Sequence, residues 1–346
     1  MKKISFILLS LLGVSFFGQA KVLTVSNNSN SPGQYTDLQA ACDAAAINDT
    51  IYIHASNIIY DAWINKSLTL IGEGTLPDKQ NLLTTKCNLN FSKTDQIISA
   101  SGTKIIGIHG VFKLANPEGL SNILFDRCRG SIEYATYSIT YKNILISHFV
   151  GSISVSLTNS IISNSIIMNF LNIPLSQSSS NLITHSLVLD ANTSLNGCNV
   201  KNSIFYSMDK TKNTSIEFKN CTLENNLFFT SNLPVILNGV NNKLSIDPKF
   251  LSPESGAVLI TYNNETVEPK ADFKVLSDSP VLTMGTDGKE IGIYGGENPW
   301  VDGGNGVFRY HTMPNQVPHI THMDILNTSV PLNGNLKVSI KAKVQQ

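Results

Sequence analysis

Asp126, Arg127, Arg129, Glu133 and His148 are the densest group of ionisable side chains in a long, weakly charged, repetitive stretch. A carboxylate beside a base is what proton transfer at a sugar carbon requires, and arginine forks suit carboxylate-bearing partners. Acid–base chemistry on a glycan needs two carboxylates close together, or a carboxylate–metal site with a strong base. Aligning successive Asn residues of the repeat puts Arg127 beside His148 and Asp126 beside Ser147, with Arg129 and Glu133 on the same turn. The group reads as a polar patch that holds an acidic sugar, or as a solvated face carrying an Asp–Arg pair. A slip of one residue in that alignment would turn every side chain to the opposite face.

The remaining polar candidates are weaker. Asp190, Glu217 and Glu224 fall at other offsets and form no acidic column with Asp126. No Asp-x-Asp run supplies the converging oxygens of a calcium site, so no cofactor is predicted, with calcium left open. Asp287, in Gly285-Thr286-Asp287-Gly288, reads as a turn residue. His319 and His322 would point to opposite faces of a strand, and Val317, Pro318, Ile320 and Thr321 disfavour the helix that would unite them. With His311 they give no predicted metal site. Trp63, Trp300, Tyr60, Tyr134, Tyr137 and Tyr141 offer faces for sugar stacking. Trp300, after Pro299, either plugs the end of the fold or binds. Cys42, Cys87, Cys128, Cys198 and Cys221 lack any Cys-x-x-Cys spacing, which argues against zinc. They read as buried thiols, one bridge remaining open should two sulfurs stack.

These residues must be positioned by something that repeats. Asn122-Ile123-Leu124, Asn143-Ile144-Leu145, Asn159-Ser160-Ile161, Asn181-Leu182-Ile183, Asn202-Ser203-Ile204 and Asn225-Asn226-Leu227 follow at steps of 21, 16, 22, 21 and 23 residues by subtraction. Asn164-Ser165-Ile166 is a second candidate for the third repeat. Alternating runs such as Ser152–Ser156 and Ser215–Lys219 have one face in and one face out. Such periods call for stacked repeats, and three short strands per turn predict a right-handed parallel β-helix. Residues 50 to 296 would give about 11 turns in a rod about 50 Å long. Recurrent Asn suits its turns, because it tolerates left-handed dihedrals and can stack in ladders. The chain's 37 Asn and 38 Ser, with only 14% charged residues, exclude a coiled coil or charged helical bundle. A net charge of zero excludes a polyanion-steered nucleic-acid binder.

The ends have their own texture. Met1-Lys2-Lys3, the apolar run Ile4–Phe17 and Gly18-Gln19-Ala20 predict an export signal cleaved near Ala20, too short to span a bilayer. Leu38, Ala41, Cys42 and Ala45 share a helical face, with Thr36 as N-cap and Gln39 at the third helical position. That helix should lie across the first rung and blunt it. Beyond Gly303-Gly304-Asn305-Gly306, the run Leu336–Ala342 alternates, predicting a small β extension that packs along the coil or serves as a secretion or attachment signal. The expected organisation is therefore residues 1–20 signal, 21–48 strand and capping helix, 49–300 β-helix and 301–346 extension. No transmembrane segment is expected in the mature chain, which should be a secreted or cell-surface monomer.

Gly33-Gln34-Tyr35-Thr36-Asp37-Leu38-Gln39-Ala40-Ala41, Asn48-Asp49-Thr50-Ile51-Tyr52-Ile53 and Leu68-Thr69-Leu70-Ile71-Gly72 resemble the opening of secreted bacterial right-handed β-helix proteins of the pectin-lyase-like superfamily. Asp247-Pro248-Lys249-Phe250, Asp272–Val275, Ser279–Leu282 and Ile291–Gly296 resemble their closing segment. The resemblance implies the scaffold, which in that superfamily carries lyases, hydrolases, esterases, adhesins and structural rods. The Arg-Ile-Lys, paired Asp-Asp and Gly-His-Gly of polygalacturonases are missing, Gly107-Ile108-His109-Gly110 being a loose echo. Neither the calcium ligands and base of pectate lyases nor the aspartates and arginine of pectinesterases carry over. The expected function is a non-catalytic protein binding a polysaccharide or a cell-surface partner. A polysaccharide lyase or glycoside hydrolase with an unfamiliar site around Arg127, and a structural stalk, are the alternatives.

Overall fold

The computed structural model describes residues 20–29, 32–75, 84–91, 100–114, 120–134, 139–170, 180–189, 193–207, 216–232, 239–253, 272–300, 318–325 and 338–344. The expected export signal, apart from Ala20, lies outside them, as do His311, Tyr137 and Asp190.

The chain winds as a parallel β-helix. Its short strands fall alternately into a sheet of eleven, from Val22–Val25 to Gly239–Val240, and a sheet of ten, from Tyr60–Trp63 to Lys243–Leu244. Every pairing within both sheets is parallel; Ile146, for instance, lies between Phe125 and Ile162. Shorter parallel pairs, Thr140–Lys142 with Ser156–Thr158 and Thr193–Asn196 with Ile216–Lys219, form part of a third face.

Among the described residues the first sheet counts eleven strands, close to the expected number of turns, but the stacking occupies a different span. It begins at Val22, ahead of the helix, and ends at Leu244. Residues 272–300, placed within the expected coil, instead run along its flank; Asp272–Val275 pairs antiparallel with Phe250–Ser252.

Period-two alternation explains the core. The central residues Ile105, Phe125, Ile146, Ile162, Ile183, Val200 and Leu223 of successive first-sheet strands all point inward and are buried. Phe205 and Phe228 stack with centroids 4.7 Å apart, close to the spacing between strands. Gly110, Gly130 and Gly151 stack at one position of the second sheet. A Cβ on Gly130 would sit 1.9 Å from the Gly110 carbonyl oxygen, and φ is +125°. Only glycine permits so close a rung-to-rung approach there.

The capping helix spans Leu38–Ala44 and buries Leu38, Ala41 and Cys42 against the first strands of both sheets. Its N-cap is Asp37 rather than Thr36: the Asp37 carboxylate accepts from Ala40 N at 2.8 Å. Gln39 serves elsewhere, accepting from Trp63 N at 2.7 Å and donating to Asp43 at 2.9 Å. Freed from the expected capping box, it ties the helix to the second sheet.

A second, outer core covers part of that sheet. Val150, Ile166, Leu187, Ile204 and Leu227 point away from the coil interior and pack under Phe273, Val281, Ile291, Ile293 and Trp300. Near the C-terminus, Pro318–Ile325 and Val338–Val344 pair antiparallel, which is the β extension.

Candidate functional site

The polar cluster sits at one of two sharp corners that bound the first sheet. At the trailing corner the positions after each strand form a column: Gly107, Arg127, His148, Asn164, His185, Asn202, Asn225 and Asn241, all with φ between 44° and 64°. Each rung is tied to the next, as in Arg127 N to Ser147 O at 3.0 Å and His148 N to Ser163 O at 3.3 Å. At the leading corner Asn48, Gly102, Asn122, Asn143, Asn159, Gly197 and Asn220 adopt the same left-handed conformation. Asn and Gly recur because the turn demands a positive φ that most side chains resist.

The Asn repeat therefore mixed two columns. Asn122, Asn143 and Asn159 belong to the leading corner, and Asn202 and Asn225 to the trailing one. Asn181 belongs to neither, since it opens its strand and accepts from Ser160 N at 3.0 Å. Asn159 and Asn164 are both genuine corner residues, which is why the third repeat had two candidates.

The structure brings Asp126, Arg127 and His148 together. Ser147 pairs with Asp126, so Arg127 and His148 are neighbours in the trailing column. Arg127 donates from Nη1 to Asp126 Oδ2. The His148 Nδ1 lies 3.6 Å from Asp126 Oδ1, beyond hydrogen-bond range, and 2.8 Å from Ser147 Oγ. On its other side Nε2 donates to the Asn298 carbonyl at 3.0 Å, so in the neutral ring Nδ1 accepts the Ser147 hydroxyl. Trp300 packs its ring edge on the imidazole, centroids 5.5 Å apart, and donates to Asn164 O at 2.5 Å. Both ring nitrogens of His148 are thereby engaged, Nδ1 within its own rung and Nε2 in holding residues 298–300 against the coil. Trp300 lies buried on the flank and does not plug an open end.

The same strap runs down the column. Asn164 donates to Ile293 O at 3.2 Å and Gly295 O at 2.9 Å. Asn202 exchanges bonds with Thr286, at 3.0 Å each way, and Asn225 donates to Met284 O. Asp287 is a turn residue, as expected, accepting from Lys289 N at 3.1 Å.

Arg129 and Glu133 sit on the second sheet, past the corner that Arg127 turns. Arg129 opens the second-sheet strand Arg129–Tyr134, and Glu133 is four residues along it, about 13 Å away at strand rise. Glu133 accepts from Ser131 at 2.7 Å. Arg129 instead stacks on His109, which stacks on Lys86, and all three are buried. Burial, and then the charges of Arg129 and Lys86, hold the His109 imidazole down at about 3. Burial likewise lowers Lys86. This basic column was legible in Lys86-Cys87-Asn88-Leu89, His109-Gly110-Val111-Phe112 and Arg129-Gly130-Ser131-Ile132, a self-similar pattern that the Asn alignment overlooked. It likewise overlooked His54 and Glu73, whose side chains meet at 2.8 Å.

Part of the outer face of the first sheet stays exposed among the described residues. Leu124, Leu145, Ile161 and Leu182 form an apolar column across four rungs, with Leu145 40% and Ile161 41% exposed. Beside it run Asp126, Ser147, Ser163, Thr184, Lys201 and Glu224. Of the aromatic candidates, Tyr141 is buried and donates to Leu114 O, Tyr60 is buried and accepts from Asn27 N at 3.1 Å, Tyr134 packs against the core, and Trp63 stays exposed. Glu217 pairs with Lys219 at 3.0 Å, away from the trio. Among the described residues, no three His, Cys, Asp or Glu side chains group as a metal site would need, and no helix is long and apolar enough to cross a membrane. No side-chain position is described for His319 or His322.

Compared with known proteins, the chain matches no protein-family model and no curated protein. Fold and site geometry therefore define the class: a parallel β-helix that leaves apolar side chains of one sheet exposed and carries a strap on the other.

Proposed function

We propose that this is an exported, non-catalytic β-helix protein, akin to the pectin-lyase-like superfamily, which binds a glycan along the outer face of its first sheet. The observation that carries the reading is His148: the one imidazole beside the Asp126 carboxylate spends both nitrogens on Ser147 and Asn298. A general base needs a free lone pair aimed at a substrate proton. The exposed part of the first sheet supports the binding half. An apolar column beside a hydroxyl- and charge-bearing column matches a sugar chain, whose rings carry a C–H face and a hydroxyl rim. Arg127, at the edge of that face, suits an acidic sugar.

The test is incubation of the purified chain with immobilised acidic and neutral polysaccharides, with and without calcium. Unsaturated products and reducing ends are followed alongside retention. Retention without product, weakened by Arg127→Ala and by Ile161→Asp, is the expected result. Product formation would make the protein a lyase or hydrolase, and neither retention nor product would leave a structural stalk; each outcome overturns the proposal.

A further inference from the structure

Cys198 opens the first-sheet strand Cys198–Lys201, and Cys221 immediately precedes the next strand of that sheet, Thr222–Glu224. Asn199 pairs with Thr222 and Val200 with Leu223, so the same parallel register sets Cys198 directly opposite Cys221. Opposed residues of parallel strands lie one strand spacing apart, about 4.8 Å, and point to the same side. That spacing falls inside the Cα separation of about 4.4–6.8 Å that disulfides span. Both thiols are buried, Cys198 donating to Asn196 O at 3.5 Å and Cys221 to Lys219 O at 3.3 Å and Leu195 O at 3.4 Å. None of the other three cysteines has such a neighbour: Cys87 pairs with Tyr60 and Gly110, Cys128 lies between Ile108 and Phe149, and Cys42 is on the helix.

We propose that Cys198 and Cys221 are a disulfide site that staples two adjacent rungs when the chain meets a small-molecule disulfide such as oxidised glutathione. The Cys198 side chain beside it lowers the Cys221 thiol and is itself raised, so Cys221 is the thiolate that attacks first. Its sulfur displaces one glutathione thiolate and forms a mixed disulfide. Cys198 then gives up its proton and attacks the Cys221 sulfur, releasing the second glutathione. The protein loses two hydrogens and two electrons, and one glutathione disulfide becomes two thiols. The staple closes one full turn of the coil next to its last rungs, where the strands Gly239–Val240 and Lys243–Leu244 shorten to two residues. Access to the buried sulfurs requires those terminal rungs to open, as the least stable end of a stacked coil does.

The experiment takes the full, reduced chain, equilibrates it with oxidised glutathione and alkylates the remaining thiols. Intact mass and non-reducing peptide mapping should find two hydrogens lost, three thiols alkylated and one peptide pair joined through Cys198 and Cys221. The oxidised protein should melt several degrees above the reduced one, and Cys198→Ser should abolish both the link and the shift. Five alkylated thiols, a bridge between other cysteines, or a glutathione adduct that persists on Cys221 would each overturn the proposal.

Discussion

The two corners of the first sheet share one backbone conformation and differ in everything around it. Asn143 at the leading corner and Asn164 at the trailing one have φ of 55° and 44°. Asn143 faces solvent and donates to its neighbour Asn122 at 3.2 Å, a rung-to-rung ladder. Asn164 is 4% exposed, and its amide and carbonyl hold the strap at Ile293, Gly295 and Trp300. At the leading corner the residue type answers to dihedral preference and to solvent-exposed side-chain bonds; at the trailing corner it answers also to buried hydrogen bonds. Histidine enters that column because it too supplies polar atoms to the strap, as His148 does to Asn298.

If the trailing corner is held by packing as well as polar contacts, Trp300→Ala should have the largest effect, about 3–5 kcal/mol by denaturant unfolding. Asn164→Ala should cost about 3 kcal/mol, because it strands two buried carbonyls and strains a left-handed residue. Asn164→Gly should avoid only the strain and keep the cost of the two stranded carbonyls. The covered flank should also feel pH. Folded His109 stays neutral to about 3, whereas the unfolded residue takes a proton near 6.5. Stability is therefore complete above that pH and falls as pH drops from 6.5 toward 3, by about 1.4 kcal/mol per unit. His109→Gln should flatten this slope, with Lys86 and Arg129 still in place. The smallest effects belong to the leading corner. Asn143→Ala should cost about 1 kcal/mol, and Asn143→Gly should stay within about 0.5 kcal/mol of wild type. Equal costs at Asn143 and Asn164 would erase the distinction between the corners.

The coil was legible in the sequence because period-two alternation and recurrent Asn are local signals that each rung repeats. The strap was not. Alternation in Asp272–Val275 marks a strand, but only packing reveals that Phe273, Ile291 and Ile293 cover the outside of a sheet. The site was half legible. The pairing of Arg127 with His148 followed from the register of Asn122 and Asn143, which holds across those rungs. Arg129 and Glu133 were grouped with them by sequence distance, but the corner after Arg127 turns the chain onto another sheet. What His148 touches could not be read locally, since Asn298 lies 150 residues away.

The central claim is that His148 holds the fold together and does no chemistry. Its most direct test measures product formation on acidic polysaccharides and the thermal midpoint together, for wild type and His148→Gln. The account predicts no product from either protein and a midpoint several degrees lower in the variant. Product from wild type that disappears in His148→Gln at an unchanged midpoint would contradict it.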